Sequence, residues 1–345
     1  MRKIVLPILL SILVLGTWGS CKKDKDVTPE PGIMTMVREK KVGEVFLYLS
    51  GSGETVVEWG DGKSDRYALS DEMLSCRHVY VDNFNYPPPY TITVTGSHVT
   101  KLYTGLLYLT SLDVSKNSAL THLVCAQNQL TSLDVSKNSA LIELNCNHNS
   151  LSILDVSHNI NLEKLECYWN NLTSLDVSKN ASLNHLQCWT NQLTDLNLGD
   201  IALKILVCNN NRFENLDVSR NSQLELLDCS FNQLTDLDIS NNSMLDALFC
   251  YDNRLTSLDI SQNPKLGYLA CSWNQLTSLD VKNNPLLHSV SCGSNRMEAE
   301  ALNDLFSQLP DYSTSEEPGS IWIKANPGEE TCDTSIITNK NWSFR

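Results

Sequence analysis

The sequence is short of positive charge. Its 345 residues carry 26 Lys and Arg against 40 Asp and Glu, a formal net charge of -14. Binding to nucleic acid draws on clustered cations that track phosphates, so no nucleic-acid partner is expected. A long hydrophobic run is missing as well: the most apolar stretch, Ile4 to Leu15, falls short of the ~20 residues that a membrane-spanning helix needs. The constellations of catalysis are also absent. No nucleophile lies beside a base, no Gly-rich loop awaits a phosphate, and no His/Cys cluster has ligand spacing. Asp and His are plentiful but fall on regular repeats instead of converging on a pocket. The sequence therefore predicts no enzyme, no cofactor and no metal centre.

What the sequence does have is a repeat. The unit L-T-S-L-D-V-S-K-N-S-A-L-T-H-L-V-C-A-Q-N-Q begins at Leu109 and restarts at Leu130, Leu151, Leu172, Leu193, Phe213, Leu234, Leu255 and Leu276. The interval is 21 residues except between Leu193 and Phe213, where it is 20. A single unit of this length cannot bury its own apolar face, so a fixed period predicts a stacked solenoid. Such an array grows coil by coil, and chain length then says little about domain count.

Each unit is two similar halves of the form L-x-x-L-x-(apolar)-x-x-N. Alternation on a strand points Leu112 and Val114 of the first half inward, with Ser111, Asp113 and Ser115 outward. In the second half Leu123 and Cys125 point inward and His122, Val124 and Ala126 outward. Each coil should give one short strand to each of two parallel sheets, ~4.8 Å from the next coil, and balanced halves predict a flat slab. Asn117, Asn128 and their counterparts fall at the corners, where a side-chain amide can satisfy backbone groups left without partners. The shortened unit lacks one such Asn at G-D-I-A, Gly199 to Ala202, which predicts a local kink or bulge near Asp200.

Nine of the 12 cysteines (Cys125, Cys146, Cys167, Cys188, Cys208, Cys229, Cys250, Cys271 and Cys292) share one repeat position. Parallel Cβ vectors on neighbouring strands suit disulfides poorly, and one Cys per coil lacks the convergence of a zinc site. They read as small buried hydrophobes. Cys76 and Cys332 stand outside the ladder, free or paired.

The nested half-units resemble the bacterial leucine-rich-repeat class with 10- and 11-residue halves, known as IRREKO, from Val99 to about Arg296. The resemblance implies a recognition scaffold. Comparing units shows where recognition would lie. Outward positions of the first half repeat Asp113, Asp134, Asp155, Asp176, Asp217, Asp238, Asp259 and Asp280, with Asn197 as the exception. These read as aspartates bonded to neighbouring Ser hydroxyls and turn amides, or as a weak calcium ladder. Outward positions of the second half vary and collect aromatics: Tyr168, Trp169, Trp189, Phe231, Phe249, Tyr251, Tyr268 and Trp273. His122, Glu143, Lys164 and His185 form a polar column beside them. Aromatic side chains are enriched at recognition surfaces, and a cluster on consecutive coils predicts a continuous patch of the kind monomers seldom expose without reason.

The flanks differ from the array. Arg2 and Lys3, the apolar run, and W-G-S-C ending at Cys21 have the pattern of a secretory signal over residues 1–20. W-G-S-C resembles a bacterial lipobox, with Trp18 where an aliphatic residue is usual, and the resemblance implies lipidation of Cys21; a cleaved, soluble form is the alternative. Residues 21–32, charged and Pro-rich, read as a solvated tether. The acidic tract resembles the export signal of surface-displayed lipoproteins in the Bacteroidetes, which implies an outer-membrane, surface-exposed location.

Residues 33–98 change to strand signals at Val45–Leu49, Thr55–Trp59 and Tyr90–Thr95. Together with W-G-D-G at Trp59 to Gly62 and H-V-Y at His78 to Tyr80, these resemble a PKD-type β-sandwich. Its expected role is to cap the solenoid, because Val99, Leu102 and Thr104 already keep the register of Leu120, Leu123 and Cys125. Residues 297–345 read as a closing coil. Ala301, Leu302, Leu305, Phe306 and Leu309 line one side of a helix, and Ile321, Ile323 and Asn326 match the repeat.

The fold expected is thus mainly β: a leucine-rich-repeat solenoid with two parallel sheets, a small β-sandwich before it and a helix-containing cap after it. The function expected is protein binding through Tyr168, Trp169, His185, Trp189, Phe231, Phe249, Tyr251, Tyr268 and Trp273. Glycan binding, with Trp169, Trp189 and Trp273 stacked on sugar rings, and a passive envelope spacer are the alternatives.

Overall fold

The computed structural model describes residues 32–344 except 41, 82–84, 86 and 97, and the described part forms one compact unit. The expected signal peptide and the lipidated Cys21 lie outside the described residues. Six strands precede the repeats: β1 (Ile33–Arg38), β2 (Gly43–Gly51), β3 (Gly53–Glu58), β4 (Ser64–Leu69), β5 (Leu74–Tyr80) and β6 (Tyr90–Thr95). Next come β7 (Val99–Tyr103) and β8 (Leu109–Asp113). They form two layers. One sheet has the order β4-β3-β6-β1-β8, and in the other β5-β2-β7 runs on into the solenoid.

The sequence motifs have visible jobs in this sandwich. After Glu58 the chain turns through Gly60 at φ 79°, where an added Cβ would lie 2.6 Å from the Thr91 carbonyl oxygen, so only glycine fits. The turn aims Asp61 at His78, with Oδ2 and Nε2 2.9 Å apart and both side chains almost fully buried. His78 stacks on Trp59 at 4.7 Å between ring centroids, Tyr80 stacks on Tyr90 at 4.3 Å, and the Tyr80 hydroxyl donates to the Trp59 carbonyl at 2.6 Å. Buried Arg38 lies over the Tyr80 ring at 4.6 Å. Aromatic burial of this density packs the segment tightly against the first coil.

The segment shares both sheets with the array. β1 pairs antiparallel with β8, and β2 pairs antiparallel with β7. At β7 the pairing changes to parallel, with Leu102 opposite Leu123, so the register foreseen from Val99 and Leu102 holds. The first coil therefore presents no unpaired edge on that side, the role expected of a terminal cover.

From β7 a single sheet runs through the strands His122–Val124, Glu143–Asn145, Lys164–Glu166, His185–Gln187, Ile205–Val207, Leu226–Asp228, Ala247–Phe249, Tyr268–Ala270 and Ser289–Ser291. The coils bury one recurring set, for example Leu130, Leu133, Val135, Leu141, Leu144 and Cys146, with Leu216 only partly buried, and each large aliphatic side chain contributes about 1.5–3 kcal/mol by leaving water. The cysteines are fully buried and unpaired, and burial pushes the Cys125 and Cys188 thiols up to about 12. Cys76 and Cys332 are unpaired too.

Two asparagine ladders run through the corners. The first donates to carbonyls of the preceding coil: Asn138 Nδ2 reaches Val114 O at 3.0 Å and Asn117 O at 2.8 Å. The second works both ways. Asn170 Oδ1 accepts from the Leu151 amide at 2.9 Å, while its Nδ2 donates to the Cys146 and Cys167 carbonyls at 3.0 and 3.1 Å.

The expectation of two equal sheets needs correction. A second parallel sheet is present but short: among the described residues the first half-units pair as parallel strands between Ser174–Asp176 and Asp195–Asn197, not once per coil. The exception supplies the reason. Asn197 is the one break in the aspartate column, and its Nδ2 donates to Asp176 Oδ2 at 3.2 Å. Elsewhere carboxylate faces carboxylate, a destabilising cross-strand pair, and the Asp side chains, Asp176 included, accept from their own corners. Ser136 N donates to Asp134 Oδ1 at 2.9 Å, and the pattern recurs at Asp155 and Asp259.

The shortened unit departs locally as its missing Asn predicts, with the turn at Gly199 (φ 61°). There an added Cβ would meet Ser178 at 2.7 Å. The Ile201 carbonyl takes over from the missing Asn and accepts from Asn221 Nδ2 at 3.0 Å.

At the far end the helix α1 (Ala299–Gln308) buries Leu302, Leu305 and Phe306. The strand Gly319–Trp322 continues the sheet with Ile321 opposite Val290, and Asn326 joins the second ladder through Cys292 O and Ile323 O. One further parallel strand, Trp342–Phe344, ends the sheet and was not foreseen.

Candidate recognition surface

The long sheet presents three columns of variable side chains, and its corner presents a fourth. Strand positions one and three hold His122 and Val124 in the first coil and their counterparts after it. The residue after each cysteine follows, and then the residue before each second-ladder Asn. This last position is left-handed in every coil, with φ between 50° and 56° at Gln127, His148, Trp169, Thr190, Asn210, Phe231, Asp252, Trp273 and Ser294.

The nine residues singled out from sequence are distributed over all four columns. Tyr268 and His185 stand at strand position one and Phe249 at position three. Tyr168, Trp189 and Tyr251 follow the cysteine, and Trp169, Phe231 and Trp273 occupy the left-handed corner, off the strand. The expectation of one continuous aromatic patch is therefore corrected. A four-ring cluster spans neighbouring coils. Trp169 stacks on His148 at 5.3 Å with 9° between planes, Tyr168 stacks on Trp189 at 4.4 Å with 11°, and Trp169 meets Trp189 edge-on at 6.2 Å. The remaining contacts are separate pairs: Phe231 with Tyr251 at 5.0 Å, Tyr268 with His288 at 4.3 Å, and Trp273 with Trp322 at 5.9 Å. The gap falls at Asn209 and Asn210, where one coil's two aromatic positions carry amides. His148 and Trp322 were missed by the sequence reading; both sit at positions where the units disagree.

Beside the four-ring cluster lies the polar column. Lys164 Nζ contacts Glu143 Oε1 at 3.1 Å and Glu166 Oε1 at 2.8 Å. Burial pushes its ammonium down, but the hydrogen bonds to Glu166 and Glu143 outweigh burial and hold it above its ordinary value. His185, within 2.8 Å of Gln187 Nε2, is held below its ordinary value by burial first and by Lys164 second.

The opposite face is self-contained. Each aspartate is held below its ordinary value by bonds from its turn, led by the Ser hydroxyl at Asp113 and Asp217 and by the Ser136 amide at Asp134. Among the described residues no group of three or more His, Cys, Asp or Glu could hold a metal ion.

The corner residues carry the physical signal. A bulky side chain at positive φ is uncommon, and a strained backbone well costs about 1–3 kcal/mol. Asn210 and Asp252 show what local preference selects there. Trp169, Phe231 and Trp273 go against it, and they are 49%, 42% and 51% exposed. Neither backbone preference nor burial accounts for them.

Comparisons with known proteins fit this architecture. No family model matches the chain, and no curated protein matches it. Solved structures do match. The functional domain of InlJ from Listeria monocytogenes, described as including a cysteine ladder, is 34% identical over 72% of this chain with a TM-score of 0.62. The chain covers 53% of that structure, about half its length. A leucine-rich-repeat protein of Leptospira interrogans is 21% identical, with a TM-score of 0.53, over 67% of this chain and 74% of its own. The leucine-rich repeats of FLRT2, seen in an octameric complex with latrophilin 3 and Unc5D, match at 18% identity and a TM-score of 0.50, covering 61% of this chain and 70% of that one. The chain is thus a leucine-rich-repeat β-solenoid, and its structural neighbours are leucine-rich-repeat proteins.

Proposed function

We propose that this chain is a lipid-anchored protein of the bacterial cell surface that binds a protein partner through the variable columns of its long sheet. The observation that carries the reading is the placement of Trp169, Phe231 and Trp273 at exposed left-handed corners, a backbone conformation that bulky rings disfavour. Large rigid rings with a polar edge suit protein recognition. The neighbours give general support, since FLRT2 is seen within a complex of proteins. Location rests on the sequence pattern ending at Cys21 and on the tether behind it.

Glycan binding is the second reading. Trp169 has one face against His148, and Trp189 has one face against Tyr168, which leaves each ring at most one face for a sugar. A pull-down from surface proteins and a glycan array, each run with the mature chain and with Trp169→Ala, Trp189→Ala and Trp273→Ala together, separate the readings. A captured protein lost in the variant supports the proposal. A variant-sensitive array signal without protein capture supports a glycan, and silence in both leaves a spacer. Protease shaving of intact cells tests location: removal of the protein is expected, and full protection would contradict it.

A further inference from the structure

The outward columns of the long sheet change character along the stack. From His122 to His185 strand position one is polar or charged, and position three carries Val124 and then Asn145, Glu166 and Gln187. The next four coils are apolar. Position one runs Ile205, Leu226, Ala247 and Tyr268, and position three runs Val207, Asp228, Phe249 and Ala270. Then Ser289 and Ser291 restore polarity. One charge stands in this strip: Asp228, in register between Val207 and Phe249.

Among the described residues no ion pair neutralises it. Asp228 accepts from the Ser230 hydroxyl at 2.5 Å and from the Ser230 amide at 3.1 Å. Among the described residues no lysine, arginine or histidine forms an ion pair with it; the nearby pair Lys204–Glu225 closes on itself at 3.1 Å. Burial pushes its carboxyl above the ordinary value, against the pull of the Ser230 bonds. A half-buried carboxylate inside apolar surface is costly to leave unpaired, and it differs in kind from the exposed aspartates of the opposite face.

We propose that the strip from Ile205 to Ala270 is an arginine-anchoring subsite, and that the partner presents there one arginine framed by apolar side chains. The inference deepens the protein-recognition reading and rests on it. Charge complementarity selects the occupant: a guanidinium can engage Asp228 bidentately while its plane lies against the Phe249 ring, and the flanking aliphatic residues take up apolar side chains.

A phage-displayed random-peptide library selected on the immobilised mature chain tests it, with synthetic versions of the enriched peptides titrated against variants whose folding is checked by melting temperature. Enrichment of arginine between apolar residues is expected, with affinity falling at least about tenfold on Asp228→Asn and acidic centres selected by Asp228→Lys. Asp134→Asn/Asp155→Asn, on the opposite face, should leave affinity unchanged; an equal loss there would reduce the effect to general attraction and overturn the subsite. Enriched peptides without a basic residue, or indifferent to Asp228→Asn, would overturn it too. So would self-association of the chain that Asp228→Asn abolishes, in favour of a second copy. An empty selection while the surface pull-down still captures a protein defeats the arginine subsite alone; failure of both defeats the protein-binding reading with it.

Discussion

Trp169 lies face to face with His148 of the preceding coil, 5.3 Å between centroids and 9° from parallel. The two occupy the same left-handed corner of successive coils, so the imidazole sets how the indole is presented. An offset-stacked pair is worth about 0.5–1.5 kcal/mol beyond its burial. His148→Ala should therefore weaken partner binding about 3–10-fold by freeing the indole, with a modest fall in melting temperature from the lost stack and from Ala at positive φ. Titration of the captured partner against both forms checks this, and unchanged affinity would show that the stack has no part in presentation.

The two asparagine ladders should differ in weight. Asn170 uses both ends of its amide, whereas Asn159 donates to Val135 O and Asn138 O while its Oδ1 has no partner. Leaving buried backbone groups unpaired costs about 1–3 kcal/mol each. Asn170→Ala should destabilise by about 3 kcal/mol or more and Asn159→Ala by less. Denaturant unfolding of the two variants gives the order, and the reverse order would refute the assignment.

Thiol chemistry reports on the ladder. Cys125 and its counterparts are fully buried with raised thiol pKa, whereas Cys332 is only half-buried. In the native protein at pH 8 a thiol reagent should label Cys332 first and the nine ladder cysteines only on unfolding. Ladder thiols missing after denaturation would mean disulfides and would overturn the packing role.

The aspartate column predicts the acid limit of stability. Its carboxyls have folded values depressed below 3.8 by their turn hydrogen bonds. A depressed acid contributes stability that is fully present above its unfolded pKa and is lost as pH falls through the folded value. The melting temperature should hold from pH 7 to about 5 and fall below about pH 4. Asp134→Asn/Asp155→Asn/Asp176→Asn should flatten that fall, and an unchanged profile would place the acid sensitivity elsewhere.

Much of the solenoid is legible in the sequence because its side chains repeat against themselves: Leu123 over Leu102, Asn138 against Asn117, the cysteines in file. The closing coil is legible for the same reason, through Ile321 and Asn326. Pairing within the first half-units is not. Strand alternation places Leu112 and Val114 correctly but carries no information on whether stacked carboxylates allow a ladder, and that is settled by hydrogen bonds such as Asn197 to Asp176. The recognition surface is legible in composition and not in geometry. Trp169 reads as a strand residue until the left-handed corner is seen, and Ile205, Leu226 and Val207 read as ordinary apolar residues until their register makes an outward strip. Unit-by-unit comparison of strand positions one and three is the signal that exposes it.

The central claim is that the corner aromatics serve recognition at the expense of local backbone preference. The most direct test is Trp169→Asn, with melting temperature and capture of the surface partner measured on the same sample. Asn suits the left-handed corner, so relief of strain should offset the lost His148 stack. The melting temperature should stay level or rise while capture falls by tenfold or more. A melting temperature several degrees lower with capture intact would contradict the account, because Trp169 would then be a packing residue.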